Sequence, residues 1–105
     1  MKGNQGVYIN MNKFDRIQEI VNEDVNKLCE AEVSYGESWR QRGGVGAFMM
    51  LARKWDRIEN QVNQHDYNIF TSFNHDPRKE GILDDIQDLR RYLLLVEEHI
   101  TNPKE

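Results

Sequence analysis

Four carboxylates are set apart by their spacing. Asp56 and Glu59 lie three residues apart, and so do Asp85 and Asp88. On a helix, side chains three apart project from one side, one turn from each other. Each pair borders an apolar seam. Asp56 and Glu59 run beside Phe48, Leu51, Trp55, Ile58 and Val62, and Asp85 and Asp88 run beside Ile82, Ile86, Leu89, Leu93, Val96 and Ile100. If the two seams face each other, the pairs converge. Four uncompensated carboxylates in one place repel, and a hard divalent cation such as Mg²⁺ or Mn²⁺ relieves that repulsion through oxygen ligands. An ion so held bridges phosphate oxygens, offsets developing charge and orients a water. The competing reading is ordinary helix-surface charge, with Asp56 near Arg53 and Arg57, and Asp88 near Arg91.

The elements that would position these groups are helical. Phe14, Ile17, Val21, Val25 and Leu28 recur at spacings of three and four, which predicts a first helix from about Lys13 to Ser34, stopped by Gly36. The segment Tyr35 to Gly46 reads as a glycine-rich loop. A second helix is expected from about Val45 to His65 and a third from about Gly81 to Thr101. Between them, Asp66 to Glu80 forms the longest connection. Its Tyr67, Ile69, Phe70 and Phe73 predict that it packs. Residues 1–11, with Gly3 and Gly6, read as a flexible N-terminal arm, and residues 12–105 as a single all-α domain. Three main helices make an incomplete bundle, which a second copy of the chain would complete.

Composition narrows the function classes. The chain has 105 residues, 14 Lys+Arg and 18 Asp+Glu, giving a net charge of −4, which argues against a general binder of nucleic-acid polymers. No apolar run reaches the ~20 residues of a membrane span. No basic run followed by an apolar stretch opens the chain, so no secretory signal is expected. The single cysteine, Cys29, excludes an internal disulfide and a cysteine-based zinc finger. These features together predict a cytoplasmic protein.

The acid pairs and their surroundings resemble the MazG-like all-α nucleoside triphosphate pyrophosphohydrolases. That family carries a Glu-x-x-Glu on one helix and a Glu-x-x-Asp on the next. Here Asp56-Arg-Ile-Glu59 is followed, after 25 residues, by Asp85-Ile-Gln-Asp88. The run Asp84-Asp85-Ile-Gln-Asp88-Leu-Arg-Arg-Tyr92-Leu-Leu is the closer match. The segment Tyr35-Gly36-Glu-Ser38-Trp39, the Arg42-Gly-Gly that follows, and Lys54-Trp55-Asp56 resemble small phage-encoded members of the MazZ type. The chain departs from the family by placing Asp at the first acid of each motif, and it looks one helix short of the full single-chain bundle.

The resemblance implies Asp56, Glu59, Asp85 and Asp88 as ligands of Mg²⁺ or Mn²⁺, with Glu59 and Asp88 central to catalysis. It implies hydrolysis of a nucleoside triphosphate to a monophosphate and pyrophosphate, with a purine deoxynucleotide such as dGTP or dATP preferred. It also implies a homo-oligomer, dimer or tetramer, in the host cytoplasm if phage-encoded. Lys54, Arg40 and Arg42 are candidate phosphate contacts, and Trp39, Tyr35 and Tyr92 line the expected substrate pocket. Core anchoring is the other reading of Trp39 and Tyr35.

Other motifs point elsewhere more weakly. Gly43-Gly44-Val-Gly46 lacks the Lys-Ser/Thr of a P-loop. His65-Asp66 and His75-Asp76 are His-Asp dipeptides at a helix end and in a loop, without the wider layout of a His-Asp phosphohydrolase. The rival to an enzyme is a non-catalytic helical module that dimerises and binds a protein partner through the same seams.

Overall fold

The computed structural model describes residues 11–78 and 81–103, all of its regular elements being helical. The arm expected over 1–11 lies outside them except for Met11, which opens the first helix. In chain order the elements are α1 (Met11–Tyr35), a 3₁₀ turn (Ser38–Arg40), α2 (Gly43–Asn63), α3 (Ile69–His75) and α4 (Ile82–Thr101). The chain divides into two compact units, Met1–Gly36 and Glu37–Glu105. No helix among the described residues is long and apolar enough to cross a membrane.

The first unit contributes α1. It stops at Gly36, whose φ of 61° is the left-handed conformation a side chain would strain, and whose N–H donates to the Glu32 carbonyl at 2.8 Å. On its surface Lys27 lies 3.7 Å from Glu30 and 4.0 Å from Glu23, the kind of exposed pairing that adds little stability. The apolar face predicted from Phe14 to Val25 is exposed, whereas Asp24 on its flank is fully buried.

The second unit is built on α2 against α4. Ala47 and Ile58 on α2 and Ile82 on α4 are its buried apolar residues, and Asp85 and Ser72 are buried with them. The expected seam on α2 is only partly correct: Ile58 is buried and Leu51 and Val62 half-buried, but Phe48 is 63% and Trp55 56% exposed. The reason is rotational. The side of α2 turned to α4 carries Ala47, Lys54, Arg57 and Ile58, so residues on the far edge of the stripe stay outside.

The long connection contains a further helix, α3, beyond the three main helices expected. Asp66 and Tyr67 both take left-handed backbone conformations, φ 55° and 61°, and turn the chain back at the end of α2. The Tyr67 N–H donates to the Val62 carbonyl at 2.7 Å. Asn68 then caps α3, its side-chain oxygen accepting from the Thr71 N–H at 3.0 Å. Buried Ser72 donates to the Asn68 carbonyl at 2.9 Å and lies 3.5 Å from the Gln61 carbonyl, which ties α3 to α2. Pro77 comes two positions after the last residue of α3, and the Asp76 between them is extended, as a residue before proline prefers.

Ile82 is fully enclosed, so Ile82→Ala leaves a cavity and should cost about 2–5 kcal/mol in urea unfolding. The half-exposed neighbour Leu83, truncated the same way, should cost much less.

Candidate functional site

Asp85 is the centre of the polar interior. Its carboxylate is enclosed on α4 and accepts a hydrogen bond from Arg57 Nε of α2 at 2.8 Å. Its second oxygen, Oδ2, lies 3.2 Å from Arg78 Nη1, an ionic contact with no aligned hydrogen bond. Arg78 is held in turn by Asp76. The Asp76 carboxylate, almost fully enclosed, accepts from Arg78 Nη2 at 2.8 Å, Arg78 Nε at 3.0 Å, the Arg78 backbone N–H at 3.0 Å and the Ile82 N–H at 2.7 Å. The last of these satisfies a first-turn donor of α4. Asp76, Arg78, Asp85 and Arg57 thus alternate in charge from the α3–α4 link across to α2. The Arg78 side-chain hydrogen bonds hold the Asp76 carboxyl far below the usual carboxylate range, aided by the two backbone N–H groups and opposed by burial. The same pairing, opposed by burial, raises the Arg78 pKa.

One turn further along α4, Asp88 Oδ2 lies 3.0 Å from Lys54 Nζ. Lys54 meets Asp88 and Arg57 meets Asp85, so the number rises by three on α2 as it falls by three on α4. That is the register of an antiparallel pair. It brings Asp85 and Asp88 together with cations rather than with Asp56 and Glu59. Asp56 lies about 160° around α2 from Ile58, at 3.6 residues per turn. There Asp56 and Glu59 are exposed and line an open polar depression of about 260 Å³ with Asn60, Asn63 and Tyr67. The donors suit Mg²⁺ or Mn²⁺ in kind but are split in place, and the four do not form one cage within a chain. Among the described residues, no three His, Cys, Asp or Glu side chains gather to hold a metal ion.

The expected substrate contacts are dispersed. Tyr35 ends α1 and is exposed. Arg42 is exposed at the start of α2, without a capping side-chain bond, and Tyr92 is half-buried on α4. Trp39 is half-buried and meets His99 edge to face, ring centroids 6.0 Å apart at 85°. Arg40 is bound to Glu37, whose carboxyl it lowers. Trp39, Gly43, Gly44, Phe48, Val96 and His99 are among the residues lining an apolar groove of about 350 Å³, where the start of α2 meets the end of α4. Gly43 has φ 75°, which only glycine adopts without strain.

The sequence reading sets Arg57 beside Asp56 and Asp76 in a His-Asp dipeptide, and gives Arg78 no role. Arg57 was readable as the i+3 partner of Lys54. The Asp76–Arg78 pair depends on the fold of a link that has no periodicity to announce it. The two His-Asp dipeptides, ten residues apart in sequence, do come together: His65 and His75 stack with centroids 5.4 Å apart, and Thr71 O lies 2.9 Å from His75 Nδ1.

Because the Asp76 carboxyl is depressed in the fold, its stabilisation is present in full above the unfolded value of about 3.9 and is lost as pH falls toward the folded value. Thermal melts from pH 7 down to pH 3 should show an acid limb. Asp76→Asn should lower Tm at pH 7 and flatten that limb. An unchanged pH profile in the variant would exclude Asp76 as its source.

The chain matches no protein-family model, no curated protein and no solved structure in the three comparisons made.

Proposed function

We propose that the chain is a metal-dependent (deoxy)nucleoside triphosphate pyrophosphohydrolase, acting as a homo-oligomer and releasing pyrophosphate and a nucleoside monophosphate. Purine deoxynucleotides are the preferred substrates, a choice that rests on the resemblance alone. The observation that carries the reading is the placement of both acid pairs on the two long helices of one unit, packed antiparallel, with Asp85 and Asp88 next to the cations Arg57 and Lys54. A triphosphate chain presents to Lys54 and Arg57 the same kind of oxygens that Asp88 and Asp85 now present. Phosphate binding therefore competes for the cations and frees the acids, Asp88 first because it is half-exposed. Asp56 and Glu59 are the carboxylates already open to solvent. A divalent ion, when bound, offsets phosphate charge and orients a water.

A second reading, a non-catalytic helical interaction module, draws on two other observations. The Asp85 and Asp88 carboxylates are charge-balanced by protein cations, and large apolar side chains such as Phe48, Trp55, Phe70 and Phe73 are exposed.

An assay of pyrophosphate and monophosphate release across the common NTPs and dNTPs, with Mg²⁺, Mn²⁺ or EDTA, separates the two. The enzyme reading expects metal-dependent release. It also expects a Tm raised by the ion, since binding to the folded state alone stabilises it. Glu59→Gln and Asp88→Asn should each lower turnover by at least about 100-fold with the helical circular dichroism unchanged. Full activity in both variants would remove the carboxylates from the mechanism. No turnover together with an ion-independent Tm would favour the module.

A further inference from the structure

The open face of α1 has a symmetry of its own. Phe14, Ile17, Val21 and Val25 are 55%, 40%, 39% and 52% exposed, and Leu28 is half-buried. Their spacing is 3-4-4-3, so the stripe reads the same in both directions about Val21. Two α1 helices laid antiparallel with Val21 at the centre place Phe14 opposite Leu28, Ile17 opposite Val25, and Val21 opposite its own copy. This is the self-complementarity that a twofold interface requires. At the 8–10 Å axial separation of packed helices, side chains of this size fill the space between.

Charge selects the direction. Residues 11–20 hold Lys13 and Arg16 against Asp15 and Glu19, a net of zero. Apart from the buried Asp24, residues 21–35 hold Glu23, Glu30 and Glu32 against Lys27, three acids and one lysine, a net of −2. A parallel pair sets the acidic halves side by side. An antiparallel pair sets each acidic half beside the half that carries Lys13 and Arg16. We propose that the α1 stripe is the self-association surface of this protein, occupied by α1 of a second copy in antiparallel orientation about Val21. The inference rests on the homo-oligomer named above and not on the hydrolase activity.

Cys29, the only cysteine and exposed, reports on the arrangement. In the antiparallel pair the two Cys29 residues stand about 24 Å apart along the axis, at 1.5 Å per residue, whereas in a parallel pair they stand level. Residue 15 of one helix comes within two residues of the level of the other copy's Cys29, on the same flank.

The experiment joins mass measurement by light scattering with cross-linking by a short bismaleimide, on the full chain. The wild type should be dimeric or a multiple of a dimer and should not cross-link. Asp15→Cys should yield a cross-linked dimer that disappears when Cys29→Ser is added. Val21→Glu sets two carboxylates against each other at the twofold centre and should weaken association by at least about 100-fold. Val21 is partly exposed, so circular dichroism should stay helical. A monomeric wild type would overturn the self-association. A wild type that cross-links through Cys29, or a Val21→Glu mass equal to the wild-type mass, would overturn the antiparallel α1 pair. Neither readout depends on turnover, so loss of the hydrolase reading would leave this result standing, and the converse holds too.

Discussion

A carboxylate taken out of water must be met by cations, and the second unit is organised around meeting the one on Asp85. Charged groups are almost never enclosed without such partners, because desolvation of a lone ion exceeds what the fold can supply. Arg57 arrives from α2 and Arg78 from the link before α4, so satisfying one side chain fixes three segments at once. Arg78 is itself oriented by Asp76, which also takes the first free N–H of α4. The helix start, the link and the α2–α4 register therefore depend on each other. A slip of one turn along either helix would set Asp85 against Lys54 or Asp88 against Arg57 and leave the other acid without its cation from α2.

The apolar contribution to this unit is small. Among the described residues, Ala47, Ile58 and Ile82 are its only enclosed hydrophobic side chains. A chain of this length buries a limited share of its surface in any fold, and here the polar chain through Asp85 takes a central position that apolar side chains hold in larger domains. Large apolar residues of this unit, among them Phe48, Trp55, Phe70 and Phe73, stay exposed on α2 and α3. Polar pairing specifies the register within the unit, while much of its apolar surface stays uncovered.

The sequence made the long helices legible, because Phe14 to Leu28, Phe48 to Val62 and Ile82 to Ile100 keep a helical period across several turns. It made the end of α1 legible too, since Gly36 supplies the left-handed residue that closes it. The short α3 was not legible as a helix. It is seven residues long, too short for a period, and its start depends on two non-glycine residues in left-handed conformations that no sequence signal marks. For the site, spacing placed each acid pair on one side of its helix but could not say which side of α2 would turn toward α4. Asp56 and Lys54 are two residues apart and project in nearly opposite directions. Phe48 and Trp55 made the acid-bordered stripe look like the inner one, whereas the ion pairs to Asp85 and Asp88 draw Lys54 and Arg57 inward instead.

That rotation gives α2 two faces with opposite electrostatic tasks. The inner face carries cations that balance the acids of α4, and the outer face carries Asp56 and Glu59 in a depression shared with Asn60, Asn63 and Tyr67. Tyr67 reaches that depression only because the strained turn after α2 holds it there. The outer acids consequently owe their position to the α2–α3 corner, and the inner acids owe theirs to the α3–α4 link. Both corners flank the same seven-residue helix, which Ser72 ties to the end of α2. A shift of α3 would therefore move Tyr67 and Asp76 together, changing the surroundings of both acid pairs at once. The segment with the weakest sequence signal is the one that couples the two halves of the candidate site.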